Sequence, residues 1–381
     1  MLPEKYESIS FQFEPGDGDP DMLLRIAHEL EAENNLEGAA TVYDRAYGVD
    51  PQREDVRQAR ARVLDQLAVF EHGIPFRYIP AGAFLMGFDH GEPDERPWHP
   101  VWLSAYWMAE TPMSWDLYCQ LMGWEAPPRG APKDHPVPAG DIDRAIFYLH
   151  QANKIRLQYC EDQTTRARDW HSHNPSAAYQ SAGGVQTGPA LFGSPSRKDP
   201  NAPWQYTAKP MVAVAWQEAE DLASQLSTAT VKYGLPSEAQ WEKAARGGLI
   251  AARYAWGDDP PTPEQCDFDR YYQFSILPMT TFPANGYGLY AVNGCVWEWT
   301  RDWYDRHWYG ESAHINPEGP PTGEEKTLRG GSWADCAEVV TVSFRMSRES
   351  NGWKDEKWGR NLSPNIGFRL CRTILEQGNI K

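Results

Sequence analysis

The residues best suited to redox or soft-metal chemistry are six scattered cysteines, Cys119, Cys160, Cys266, Cys295, Cys336 and Cys371, with no Cys-x-x-Cys pair among them. That scatter reads as reduced thiols in a cytoplasmic protein. His171-Ser172-His173 could share an ion, but no third ligand stands beside it in sequence, so it reads as solvated loop. No glycine-rich phosphate loop is present, and linear order assigns no Ser/His/Asp set. Catalytic and metal-ligating residues are therefore left unassigned. Recognition chemistry is better represented. Trp333, Asp335, Glu338, Glu349, Asn351, Trp353, Lys354, Trp358, Arg360 and Asn361 are large, polar or both, and aromatic anchors among charges make binding hot spots. The competing reading of Trp333, Trp353 and Trp358 is that they pack in the core or at its rim.

The elements that must carry these residues divide the chain. Residues 1–19 read as a polar arm, and 20–72 as a helical segment. Leu23, Ala27, Leu30, Ala39, Tyr43, Ala46 and Pro51 fall at the spacing of one tetratricopeptide repeat, with a third helix over about Arg53–Phe70. One repeat cannot bury its own apolar face, so the unit packs on the rest of the chain or docks a partner. From Ile74 the text changes to short strands and Gly/Pro turns. Two strands flank the turn at Pro80–Gly82, another covers Tyr106–Met113, and Ser114 caps a helix. Residues 125–208 read as an insertion with one helix near Ile142–Ala167. Pro210–Val214 reads as a strand and Gln217–Leu226 as a helix with Ala219, Leu222 and Ala223 inward. A second helix begins at the Ser237 cap and ends at Gly247.

Seventeen Trp, 18 Tyr, 31 Gly and 31 Pro describe loops pinned by aromatics rather than a helix bundle. A formal net charge of -17 repels phosphate backbones and excludes nucleic acid as the expected partner. No apolar run approaches the roughly 18 residues of a membrane span, and the first residues carry no secretory pattern, so the expected location is the cytoplasm.

A series of short motifs carries more information together than apart: Ile79-Pro80-Ala81-Gly82, Leu235-Pro236-Ser237-Glu238 through Gly248, Trp256-Gly257, Asn285-Gly286-Tyr287-Gly288, Gly294-x-Val296-Trp297-Glu298-Trp299, Arg329-Gly330-Gly331-Ser332-Trp333 and Gly367-Phe368-Arg369. In this order they resemble the formylglycine-generating enzyme (sulfatase-modifying factor) family. The resemblance runs from about residue 76 to 373, minus the insertion. It implies an α+β fold of C-type-lectin-like, formylglycine-generating-enzyme type over 73–375, with many loops. Without any family, alternation places Trp297 and Trp299 on one strand face and Glu298 on the other. A carboxylate there needs a cation, and Arg345, Arg348 and Arg369 are the supply.

The resemblance implies a copper oxidase in which two cysteines stand three and eight residues after the motif serine. Here those positions are Asp335 and Val340, which cannot replace thiolates on a soft ion. The iron-binding His-x-x-x-His-x-Glu pattern of another branch is absent. The family's structural calcium lies near the motif in which Cys295 stands where asparagine is expected, and a thiol is a poor calcium ligand. No cofactor is therefore expected. The stretch Leu328–Arg372, with Arg345, Arg348, Asn365 and Gly367-Phe368-Arg369, is similar to the ending of the variable proteins of diversity-generating retroelements. That similarity implies a mutable binding surface over 328–373 for a protein or cell-surface ligand. An oxidoreductase with an altered centre is the alternative, and an accessory unit docked through the helical repeat a third reading.

Overall fold

The computed structural model describes residues 18–122, 210–212, 214–270, 277–350, 353–355, 359–361 and 365–375. The expected insertion over 125–208, its helix and His171–His173 lie outside the described residues, as do Asn351, Trp358 and nearly all of the expected arm.

Three helices open the described chain, α1 (Pro20–Ala32), α2 (Leu36–Val49) and α3 (Glu54–Leu67). Asp19 caps α1 by accepting from the Asp21 amide, and Asn35 caps α2 through Gly38. Leu23, Ala27, Leu30, Ala39, Tyr43 and Ala46 are buried as their spacing requires. The third helix ends at Leu67 rather than Phe70, because Val69–Glu71 is a strand, β1, paired with β2 (Ile74–Ile79). The helical segment thus gives way to the sheet before residue 73.

The main domain is built on two sheets. One runs β1-β2-β5-β13-β6, with β5 at Tyr106–Ala109, β13 at Cys371–Ile374 and β6 at Val231–Gly234. Its pairings are all antiparallel. The other runs β12-β7-β8-β9: Ile366–Gly367, Trp297–Trp303, Glu325–Arg329 and Arg345–Glu349, with β12 parallel to β7. Hairpins β3–β4 (Gly82–Met86, His99–Leu103) and β10–β11 (Trp353–Asp355, Gly359–Asn361) complete the strands. Helices α4 (Trp115–Leu121), α5 (Trp216–Leu226) and α6 (Glu238–Arg246) are placed among them. This is the α+β, C-type-lectin-like arrangement. Pro210 makes only an isolated bridge to Ser114, so no strand forms among the described residues of the expected Pro210–Val214 stretch, and β5 stops at Ala109 rather than Met113. Among the described residues no helix is long and apolar enough to cross a membrane.

One apolar cluster unites the helical unit with the main domain. The seam between them is polar at its centre. Arg60 of α3 donates to Asp44 of α2 (2.9 and 2.7 Å) and to the carbonyl oxygens of Gly286 (2.5 Å) and Gly247 (3.0 Å). Gly248, at φ +91, is required there, since a Cβ would lie 2.5 Å from the Arg60 guanidinium. The helical unit thus packs on the lectin-like domain of the same chain.

Candidate functional site

Strand β8 delivers Arg329 into the core and then turns through Gly330 and Gly331, at φ +98 and +70. A Cβ on Gly331 would meet Val340 Cγ1 at 2.7 Å, so the glycine lets the 339–340 segment close over the motif. Ser332 begins a tight turn. Its amide and hydroxyl both donate to Asp335 Oδ2, at 2.9 and 2.5 Å, and its Oγ accepts from Asn365 Nδ2 (3.0 Å) and from the Ala334 amide (3.3 Å). The Asp335 carboxylate is thus spent inside the turn and is 5% exposed. Val340 is fully buried against Tyr254 and Cys266, and its carbonyl accepts from Asn293 Nδ2 at 2.6 Å. Both positions that would bear the oxidase thiols have become core.

The ten expected surface residues separate on this basis. Trp333 is 0% exposed, and its backbone is laced to Cys295 and Arg270. It and Asp335 are corrected from surface to interior, because the Gly-Gly turn drives the following residues under the 266–270 loop. Glu338 is half-buried and Glu349 is exposed at the end of β9. Trp353, Lys354, Arg360 and Asn361 lie in the hairpin, where Trp353 pairs with Asn361 and Lys354 with Arg360. That pairing sets four of the expected residues on one short hairpin.

The acid–base network beneath the motif was not legible as a unit. Arg329 bridges Glu238 (3.0 Å) and Glu242 of α6, and donates to the Val342 and Ser343 carbonyl oxygens. Arg345 pairs with Glu238 through two bonds of 2.7 and 2.9 Å. Glu298 accepts from Arg369 (2.6 and 2.7 Å) and from Trp241 Nε1 (2.8 Å), so Arg369 is the cation its strand position called for. Ser237 and Gly247 cap α6 as their types predict, with Gly247 at φ +64.

Two carboxyls of this interior sit far from their ordinary range. Burial pushes Asp302 up to about 7, with the Glu238 charge adding to it, and burial pushes Glu95 to about 7. A carboxyl whose pKa is raised on folding binds its proton more tightly in the folded state. Its contribution to stability is present at acid pH and is lost as pH rises from the unfolded value towards about 7. The Asp302→Asn variant keeps an acceptor for the Glu238 amide, which Asp302 Oδ2 meets at 2.8 Å. Its stability relative to the parent is expected to rise by about 2–4 kcal/mol between pH 4 and 7.5. Urea unfolding at several pH values measures this, and a constant difference would refute the assignment.

The oxygens placed beside Cys295 are engaged within the protein. The Cys295 carbonyl accepts from the Trp333 amide, and the nearby Asp267 carboxylate is engaged by Arg270 (3.0 Å) and the Leu277 amide (3.2 Å). Among the described residues no group of three His, Cys, Asp or Glu side chains is placed to hold a metal ion. Burial raises the Cys295 thiol well above the usual range and Cys266 to about 12, so both are neutral at pH 7. Cys266, Cys295, Cys336 and Cys371 are all free of disulfides.

Residues 75–374 match the family model of the sulfatase-modifying factor enzyme 1-like domain. A formylglycine-generating enzyme of Streptomyces coelicolor is 36% identical over 177 residues, covering 42% of this chain and 52% of that protein. An inactive C-alpha-formylglycine-generating enzyme 2 of Mus musculus is 33% identical over 177 residues, covering 42% of this chain and 48% of the mouse protein. The chain spans about half the length of the curated relatives it matches. In structure, PvdO from Pseudomonas aeruginosa aligns at a TM-score of 0.50 and 19% identity, over 80% of this chain and 97% of that one, which shows a shared fold. With the motifs in order, the sheets in place and a match spanning the whole lectin-like domain, the chain belongs to the sulfatase-modifying factor enzyme 1-like family.

Proposed function

We propose that this protein is a ligand-binding member of its family, with the oxidase centre converted to packing and a recognition surface in the 328–373 region. The observation that carries the reading is the pair of substitutions at the centre. Asp335 is held by Ser332, and Val340 is sealed against Tyr254 and Cys266. Thiolates are the ligands a soft copper ion needs, and neither position supplies one. The mouse relative described as inactive is a precedent for a family member without that activity.

The proposed surface consists of Glu338, Glu349 and the β10–β11 hairpin, with a protein or cell-surface molecule as its ligand. Trp353, Lys354, Arg360 and Asn361 supply the aromatic, cationic and amide groups that hot spots favour. The similarity of 328–373 to retroelement-diversified proteins suggests that these codons vary. A near-copy of them beside a reverse-transcriptase gene would establish that history.

Two measurements test the function. With Cu(I), oxygen and a cysteine peptide, the protein is expected to form no aldehyde, by mass spectrometry; aldehyde formation would overturn the reading. On arrays of immobilised glycans and proteins, any ligand found is expected to bind the Lys354→Ala/Arg360→Ala variant about tenfold or more weakly. Unchanged affinity would move recognition off the hairpin and sink the proposed surface.

A further inference from the structure

Next to the altered centre lies a cavity of about 160 Å³ whose walls include Trp256, Cys266, Met279, Phe282, Val292 and Cys295. It adjoins the centre directly. Cys266 packs on Val340, and Asn293, which also lines the cavity, donates to the Val340 carbonyl and accepts from the Ala255 amide.

Most polar side-chain groups on its rim are already engaged. Asn285 donates to the Ala244 and Ala245 carbonyls and accepts from the Tyr287 and Leu289 amides. Asp267 is taken by Arg270 and Leu277, Asn293 by the bonds just given, and the Gln265 carbonyl by the Thr262 amide. The two thiols bear no charge at neutral pH. Among the described residues, most of the surface facing the space is carbon, thiol and thioether, backed by the Trp256 indole. That indole stacks on Tyr254 at 5.1 Å with 2° between the planes, and its Nε1 bonds the Asp259 carbonyl (3.0 Å).

The space is open to solvent on one side, but its largely apolar walls offer water few of the two to four polar partners it needs. Apolar cavities of about 150 Å³ take a single benzene-sized guest. We propose that this cavity is a binding site for one compact, uncharged aromatic group, and that Trp256, Met279 and Phe282 are its contact surface. The soft sulfurs of Cys266, Met279 and Cys295 suit the edge of such a ring, as sulfur–aromatic contacts do. A charged ring would be rejected, because among the described residues no counter-charge on the walls is left free to meet it. The site is independent of the hairpin surface, so failure of either leaves the other standing.

The two cysteines are internal reporters. Full-length protein is titrated with indole or phenol, and with benzoate and benzylammonium as charged controls. The rate of iodoacetamide labelling at Cys266 and Cys295 is read by peptide mass spectrometry, beside the melting temperature. The neutral rings are expected to raise the melting temperature saturably and to slow labelling about tenfold when present at ten times Kd. The charged rings are expected to do neither. The Ala284→Leu variant places a larger side chain on the cavity wall, and is expected to melt like the parent and lose both responses. Ala255→Leu fills the space from another wall should the first variant fail to fold. Equal responses to neutral and charged rings, no saturation, or an undiminished response in a folded filled variant would each overturn the site.

Discussion

Arg329→Met is expected to lower the free energy of unfolding by about 3–5 kcal/mol, the range for removing one partner of a buried ion pair. The Arg329 side chain is wholly buried and bonds Glu238 and Glu242 from the end of β8. Its removal leaves each carboxylate with one cation, Arg345 for Glu238 and Arg246 for Glu242 (2.6 Å). The Val342 and Ser343 carbonyls lose a donor each, and an unsatisfied buried acceptor costs about 1–3 kcal/mol. Methionine restores much of the volume, so the loss reports charge and hydrogen bonding rather than a void. Arg57→Ala is the control. Its pair with Glu54 is 3.4 Å long with both side chains at least half exposed, and the expected change is within about 0.5 kcal/mol. Urea unfolding of the two variants decides the matter, and a loss below about 1 kcal/mol for Arg329→Met would show the network to be dispensable. Because those carbonyls follow Val340, a large loss would also loosen the segment around it.

The second large effect is expected at the seam. Arg60 is sandwiched between the rings of Tyr47 and Tyr287, at 4.3 and 4.6 Å, while its guanidinium ties Asp44 to the Gly247 and Gly286 carbonyls. Tyr287 closes the circuit by donating to Asp44 at 2.8 Å. Arg60→Ala breaks the contacts across the two units at once and is expected to cost about 3–5 kcal/mol. It should also uncouple the helices from the sheets, making the stretch around residues 68–73 sensitive to limited proteolysis. Arg60→Lys keeps the charge without the planar fork and is expected to fall between. A protease pattern and melting temperature matching the parent would mean that apolar packing alone holds the units together.

Several parts of this architecture could be read directly from residue order. Ser237 followed by Gln240 specifies a capped helix start, and Gly247 specifies its left-handed end, since both act through backbone groups within one turn. The 3.6-residue spacing of Leu23, Ala27 and Leu30 needs no partner to be recognised, and the alternation in β7 marked Glu298 as a carboxylate in want of a cation. The missing thiols were equally plain, because residue type at two positions suffices.

Contacts across long separations escaped the linear view. Arg329, Arg345, Arg348 and Arg369 reach the core from β8, β9 and the segment after β12, but nothing in the order of residues says that Arg369 takes Glu298 while Arg345 takes Glu238. Arg60 stands in α3 between Arg57 and Arg62, and charge alone does not separate the buried residue from its exposed neighbours. Asp335 has a surface-like identity and Trp333 allowed either reading, yet both lie inside, because the Gly330-Gly331 turn and Asn365 decide where they go.

Local chemistry, which acts within a turn of chain, was enough to name the described helices and a few of the strands, while the order of the motifs carried the resemblance to the family and with it the missing copper ligands. Burial and pairing depend on segments hundreds of residues apart meeting in space. Only the assembled fold could therefore move Trp333 and Asp335 inward, turn the helical repeat into a clamped brace, and open a thiol-lined cavity beside Val340.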